Sequence, residues 1–197
     1  MKSSNNLLTK RFKDALNLAF TLHAEQTRKG TSTPYFAHLI AVTALVLENG
    51  GDEDLAIAAL LHDAVEDQGG LKTLEEIRSR YGERVARIVL DCSDALVTPK
   101  PPWRLRKEIY LTHLDQVDPE VHLVSIADKL HNARSILADL EQQGSAVWKR
   151  FTGGKAGTLW YYRALADYFL KQGQNVNLAQ EFNRVVMAIE ELAHADE

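Results

Sequence analysis

The chain has 197 residues, 45% hydrophobic and 25% charged, which is ordinary for one globular domain with a full core. Its net charge of -4 argues against a nucleic-acid partner, which calls for a basic surface, and no apolar run is long enough to span a membrane. A single cysteine, Cys92, excludes an internal disulfide and fits a reducing, cytoplasmic compartment, where its expected role is that of a small buried hydrophobe.

Apolar spacing predicts helix along most of the chain. Phe12, Leu16, Ala19 and Phe20 recur at helix spacing, so a first helix is expected over about Leu8 to Thr27. Met1 to Thr9 has no apolar segment of the kind that opens a secretory signal. Turn residues from Arg28 to Pro34 precede a second helix that opens at Pro34 and stops before Gly50-Gly51. Asp52 is placed to cap a third helix, expected to run through His62 and Asp63 to about Asp67. Thr73 and Glu76 have capping-box spacing, which predicts a short helix from there to Gly82. Another is expected over Glu83 to Ala95, followed by a proline-rich break from Thr98 to Pro102. Further helices are expected over Trp103 to Gln116, Pro119 to Gln142 and Leu178 to His194, with a broken stretch from Ser145 to Lys171. Gly153, Gly154 and Gly157 interrupt that stretch as a possible functional loop. No strand alternation, repeat or linker is evident. The expectation is a single all-α domain, a helical bundle covering residues 1–197.

The most informative segment is Leu60 to Asp67. It places His62, Asp63, Glu66 and Asp67 on a run that otherwise reads as buried helix. Burying charge costs several kcal/mol per group unless it is paired or bound to metal. On a continuous helix of about 100° per residue these four side chains share one arc, with Leu60, Leu61 and Val65 opposite. The small residues Ala56 and Ala59 fall on the charged side and leave room for an ion or a substrate. A solvated polar face usually mixes in lysine or arginine, and this one has none.

More donors are needed to complete a metal site. Val121 to Leu137 offers a second helix with an apolar face and a polar face centred on Asp128, with Asn132, Ser125 and Ser135 nearby on the wheel. An aspartate and an asparagine at this spacing also occur on plain solvated helices. His38 sits in an apolar setting near a helix start, a place that by itself suits a core histidine. His23, His113, His122, His131 and His194 have no carboxylate cluster beside them and read as structural or exposed.

Taken together, His38, His62-Asp63 and Asp128 resemble the H…HD…D signature of HD-domain metallophosphohydrolases. Arg28-Lys29-Gly30, the run Pro34 to His38, Leu61 to Asp67 and the run Ala127 to Arg134 are similar to the hydrolase domain of Rel/Spo alarmone enzymes, in particular the small hydrolase-only members. The core motifs lie within residues 28–166, and the likeness over Lys155 to Ala166 is weaker. The run Pro99-Lys100-Pro101-Pro102-Trp103 departs from the long bifunctional enzymes and is a place where base selection could change. The resemblance implies metal ligation by His38, His62, Asp63 and Asp128. It implies that Glu66 and Asp67 hold or deprotonate the attacking water. It puts Arg28 at the purine face and Lys29, Asn132, Arg134 and Ser135 in contact with substrate.

Two imidazoles and two carboxylates suit Mn²⁺ or Fe²⁺ and tolerate Zn²⁺ or Mg²⁺; the resemblance implies Mn²⁺. An acidic protein that binds an anionic nucleotide needs a local basic patch. Arg28, Lys29, Lys129, Arg134 and Lys155 are the candidates, Lys155 within its glycine-rich stretch. Arg134 lies toward the apolar arc of its helix and reads equally as an ion-pair residue, and Lys129 equally as a surface lysine. Trp148, Trp160 and Tyr162 read as core aromatics. The expected function is hydrolysis of the 3′-diphosphate of the alarmone (p)ppGpp, or of a related purine alarmone such as (p)ppApp, with release of pyrophosphate. Another HD-family nucleotidase or phosphodiesterase, and a nucleotide-binding sensor without turnover, remain the alternatives.

Overall fold

The structure is a computed structural model that describes residues 8–94 and 99–195. The expected helix end at Ala95 and the expected break at Thr98 lie outside the described residues. The described part is helical, with no strand among the described residues beyond one isolated bridge between Thr27 and Pro34. The chain divides into two compact units, Met1–Leu96 and Val97–Glu197.

The first unit holds α1 (Lys10–Leu22), α2 (Tyr35–Glu48), α3 (Glu53–Leu61), α4 (Ala64–Asp67), α5 (Leu71–Tyr81) and α6 (Glu83–Cys92). Leu55 through Leu61 are all buried, so α3 is apolar on every side and can only be central. It packs against α1, α2 and α6. Its entry is fixed by Asp52, whose side chain accepts from the Leu55 amide at 3.0 Å. Gly51 is required just before it, because a Cβ there would lie 2.5 Å from the Val46 side chain and 2.8 Å from its carbonyl oxygen. The central helix therefore places His62 just past its C-terminal end, still buried.

Three expectations change here. The first helix ends at Leu22 rather than near Thr27, because the chain turns and Thr27 bridges to Pro34, closing the loop that carries Arg28. The third helix does not run to Asp67. It stops at Leu61, and a turn at His62 and Asp63, with Asp63 at φ -98° and ψ -4° on the edge of the helical region, separates it from α4. The capping box at Thr73 does not form. Gly69 and Gly70 take positive φ, α5 starts earlier at Leu71, and the Thr73 hydroxyl donates to the Gln68 carbonyl at 2.7 Å.

The second unit holds α7 (Trp103–His113), α8 (Pro119–Gln143), a 3₁₀ turn over Gly144–Arg150, α9 (Gly154–Gln172) and α10 (Val176–Ala195). The N-terminal half of α8 is buried on nearly all faces from Val121 to Asp128. This helix packs on α9, α10 and the 3₁₀ turn. Proline at its first position suits a helix start. His122 is buried and bonded through Nε2 to the Leu114 carbonyl at 2.9 Å, a structural role as expected. Gly153 lies in the short turn before α9 and Gly157 within the helix, and a Cβ at either would press against the indole of Trp103.

Candidate functional site

In the first unit, three side chains converge on one carboxylate oxygen. Tyr35, at the start of α2, donates its hydroxyl to Asp63 Oδ2 at 2.5 Å. His62 Nε2 lies 3.0 Å from the same oxygen and His38 Nε2 lies 3.7 Å from it. The two imidazoles are fully buried, with ring centres 5.2 Å apart. The break between α3 and α4 makes this possible. His62 stays on the buried end of α3 while Asp63, at the turn, swings its carboxylate back across both rings.

The tautomer of His62 follows from its other contact. Nδ1 lies 2.8 Å from the Ala59 carbonyl oxygen, which can only accept, so Nδ1 carries the hydrogen. In the neutral ring Nε2 then presents a lone pair to the Asp63 carboxylate. Two electron-rich atoms at 3.0 Å call for a positive centre between them, a proton or a cation. Two buried imidazoles and a carboxylate, with one ring oriented through a backbone carbonyl, make the donor set of a divalent transition ion.

The acidic pair that follows is held separately. Glu66 is half-buried and accepts from the Asp94 amide at 3.2 Å. Asp67 is exposed and accepts from Gln26 Nε2 at 2.9 Å. Gln26 Oε1 in turn takes hydrogen bonds from Gln68 at 2.7 Å and from His23 Nδ1 at 2.6 Å. His23 is buried and stacks on Tyr35 with ring centres 5.3 Å apart, so it belongs to the shell that orients Asp63. Arg28 places its guanidinium 5.6 Å from the centre of the Tyr35 ring, while Lys29 is exposed.

In the second unit, Asp128 is buried on α8 and held by two neighbours on the same helix. Asn132 donates to Oδ1 at 2.5 Å and Lys129 to Oδ2 at 2.6 Å. Burial works against the Lys129 charge, but the Asp128 carboxylate more than offsets it and holds the amine well above the usual lysine range. Lys129 is therefore a half-buried counter-ion to Asp128 and not a surface lysine. Ser135 bonds back to the His131 carbonyl at 3.0 Å. Arg134 is exposed and paired with Glu181 on α10, so it is an ion-pair residue at the surface, not in the apolar arc. Lys155 donates to the Ala193 carbonyl at 2.6 Å, near the end of α10. Of the aromatics, Trp148 is buried, whereas Trp160 and Tyr162 are half-buried and Trp160 carries the Arg104 guanidinium 3.2 Å from its ring centre.

Two contributors escaped the reading of the sequence. Tyr35 looked like one more apolar residue of a helix start, although its place three residues before His38 puts it on the same helix face. Gln26 gave no signal, since a lone glutamine in a turn has no distinguishing spacing. Cys92, expected to be buried, is half-buried at the end of α6.

An all-helical chain that sets a His-Asp pair at the end of its core helix, with a further histidine on the neighbouring helix, has the layout of an HD domain. The chain matches the HD-domain family over residues 15–159 and belongs to it. It is 37% identical over 126 residues to the guanosine-3′,5′-bis(diphosphate) 3′-pyrophosphohydrolase MESH1 of Xenopus tropicalis, covering 62% of this chain and 68% of that one. It is 35% identical over 138 residues to the guanosine-3′,5′-bis(diphosphate) 3′-pyrophosphohydrolase of Aquifex aeolicus, covering 68% of this chain but 19% of that longer protein. A solved structure of a metazoan ortholog of SpoT, described as hydrolysing ppGpp and acting in starvation responses, superposes with a TM-score of 0.74 at 26% identity, covering 91% of this chain and 95% of that one.

Proposed function

We propose that the chain is a metal-dependent hydrolase that removes the 3′-diphosphate of (p)ppGpp, or of a related purine alarmone, as pyrophosphate. The observation that carries this reading is the approach of His62 Nε2 to Asp63 Oδ2 at 3.0 Å with Nδ1 committed to the Ala59 carbonyl, a pair of donor atoms that a divalent cation would bridge. In this reading His38, His62, Asp63 and Asp128 ligate one Mn²⁺ ion; His38, His62 and Asp128 are all buried and each offers a ligand atom. When bound, the ion supplies Lewis acidity for water and neutralises charge on the phosphate. The family match runs across both compact units, which supports treating them as one catalytic domain.

The remaining work falls to the chain's own side chains. Glu66 takes the proton of the attacking water, and its bond to the Asp94 amide keeps it aimed. Asp67, held by Gln26, is the second acceptor. Arg28 is braced on Tyr35 and presents a planar cation that can stack on a purine. Lys29, Asn132, Arg134, Ser135 and Lys155 complete the substrate contacts; Arg134 and Lys155 exchange their bonds to Glu181 and Ala193 for phosphate when they do so. Water adds to the 3′-phosphorus, the 3′-oxygen leaves with a proton, and the products are pyrophosphate and GDP, or GTP from pppGpp. A cytoplasmic location goes with this reading, since a free cysteine needs no oxidising compartment. No described helix is long and apolar enough to cross a membrane.

The test is incubation with Mn²⁺ and a panel of guanine and adenine alarmones, with products resolved by anion-exchange chromatography. Pyrophosphate with the matching nucleoside 5′-diphosphate is the expected pair. Release of orthophosphate or nucleoside points instead to another phosphohydrolase, and alarmone binding without any product to a sensor. Tyr35→Phe removes only the hydroxyl on Asp63. It is expected to weaken Mn²⁺ binding by about 10–100-fold, the usual cost of losing an outer-shell partner, while the far-ultraviolet circular dichroism stays unchanged. Unaltered Mn²⁺ affinity in a calorimetric titration would show that Tyr35 does not orient the ligand.

A further inference from the structure

One buried ring in the first unit reaches two carboxylates of the site, each through a single intermediary. His23 closes α1, is almost wholly buried and lies nearly parallel to Tyr35, with an interplanar angle of 18° and ring centres 5.3 Å apart. Tyr35 in turn donates to Asp63 Oδ2. At its edge, His23 Nδ1 lies 2.6 Å from Gln26 Oε1, and Gln26 Nε2 donates to Asp67 Oδ2 at 2.9 Å. The backbone ties the same three residues together. The Gln26 amide donates to the His23 carbonyl at 3.1 Å, and the Tyr35 amide donates to the Gln26 carbonyl at 2.8 Å.

This chain of contacts has a direction. An ionised carboxylate can only accept, so Asp67 requires the nitrogen of the Gln26 side-chain amide on its side. That turns Oε1 toward His23 and toward Gln68, whose Nε2 donates to it at 2.7 Å. An oxygen at hydrogen-bond distance from Nδ1 requires the ring hydrogen there. His23 Nε2 is buried and has no hydrogen-bond partner among the described residues. A bare nitrogen costs less in that place than an N–H, which would be a buried donor left unmet. Both nitrogens therefore favour the tautomer with hydrogen on Nδ1. With the hydrogen on Nε2 instead, a lone pair would face Oε1. The amide would then turn over and present its oxygen to the Asp67 carboxylate.

We propose that His23 is a positioning residue for both carboxylates: through the Gln26 amide it aims Asp67, and through the Tyr35 ring it steadies Asp63. The roles rest on the alarmone reading, in which Asp67 accepts a proton and Asp63 ligates the metal. The two arms are separable, because one uses the edge of the ring and the other its face.

His23→Phe keeps a ring against Tyr35 and loses the bond to Gln26. It is expected to lower kcat by at least about tenfold, as misplacing a reacting group does, with KM and Mn²⁺ affinity within about twofold of the parent. His23→Asn keeps an N–H near the place of Nδ1 and loses the ring face. It is expected to retain more kcat than His23→Phe and to bind Mn²⁺ about tenfold more weakly, the loss that follows when a ligand's support is removed. In an Asp67→Asn background, His23→Phe is expected to cost less than about twofold further, since residues that act through one another are not additive. A merely structural histidine would cost the same factor in both backgrounds.

The tautomer is read without substrate or metal, from the imidazole ¹⁵N shifts of the full chain at neutral pH, with the His23 signals assigned by their loss in either variant. Hydrogen on Nδ1 is expected. Nδ1 found bare, equal losses in the two backgrounds, Mn²⁺ affinity lost in His23→Phe, or His23→Asn no more active than His23→Phe overturns the proposal. Hydrogen on Nδ1 without alarmone turnover in the parent chain sinks the alarmone reading alone; turnover with Nδ1 bare sinks the positioning role alone.

Discussion

Asp63→Ala is expected to abolish Mn²⁺ retention and to lower alarmone turnover by at least about 10³-fold, roughly 4 kcal/mol of transition-state stabilisation. Asp63 Oδ2 is the atom on which Tyr35, His38 and His62 converge, so its removal takes away one proposed ligand and the carboxylate beside two others. The fold should survive. Asp63 caps no helix with its side chain and sits at a turn, half-exposed compared with the buried imidazoles. Two measurements decide: metal content after gel filtration by elemental analysis, and pyrophosphate release. A variant that keeps both metal and activity removes the proposed centre, whereas loss of helical circular dichroism would assign Asp63 a structural role instead.

Glu66→Gln is expected to keep the metal and lose about 10²–10⁴-fold in kcat, the usual span for a general base. The substitution is nearly isosteric. Glutamine Oε1 can still accept from the Asp94 amide, so the side chain keeps its anchor. What it loses is the ability to take a proton from water. An unchanged kcat would remove Glu66 from the chemistry and leave Asp67 as the acceptor. The companion Asp67→Asn separates the two carboxylates, because Asp67 is exposed and held by Gln26 rather than by the backbone.

The two residues differ in how visible they were beforehand. His62 and Asp63 stood out because charged groups closed an apolar run, Leu55 to Leu61, that had to be interior. Helix periodicity placed Glu66 and Asp67 one turn further on the same arc. It did not show the break at Asp63, since the residue types across the break are all compatible with helix. The break matters: it turns the Asp63 carboxylate back onto both imidazoles. The capping box at Thr73 failed for a related reason. Two consecutive glycines supplied an earlier start that Thr73 could not compete with, and its hydroxyl bonded locally instead.

Other roles needed partners far along the chain. Arg134 and Lys155 read as loose basic residues, yet each is engaged by α10, through Glu181 and the Ala193 carbonyl. Lys129 read equally as a surface lysine, and its neighbour Asp128 makes it a half-buried counter-ion. Gly153 and Gly157 suggested a functional loop; their purpose became plain only against Trp103, about fifty residues earlier in the chain.

Composition and local spacing by themselves determined that this is an all-helical chain, where most helices begin and end, and that a His-Asp pair follows its most apolar helix. Hydrophobic periodicity and capping act over a few residues, so they can be read in one dimension. Tertiary structure alone decided which oxygen the two histidines face, what holds Glu66 and Asp67, and which basic residues are already engaged. Those outcomes depend on hydrogen bonds and ion pairs between residues tens of positions apart, and side-chain chemistry alone does not say which of several equivalent partners the packing will bring within reach.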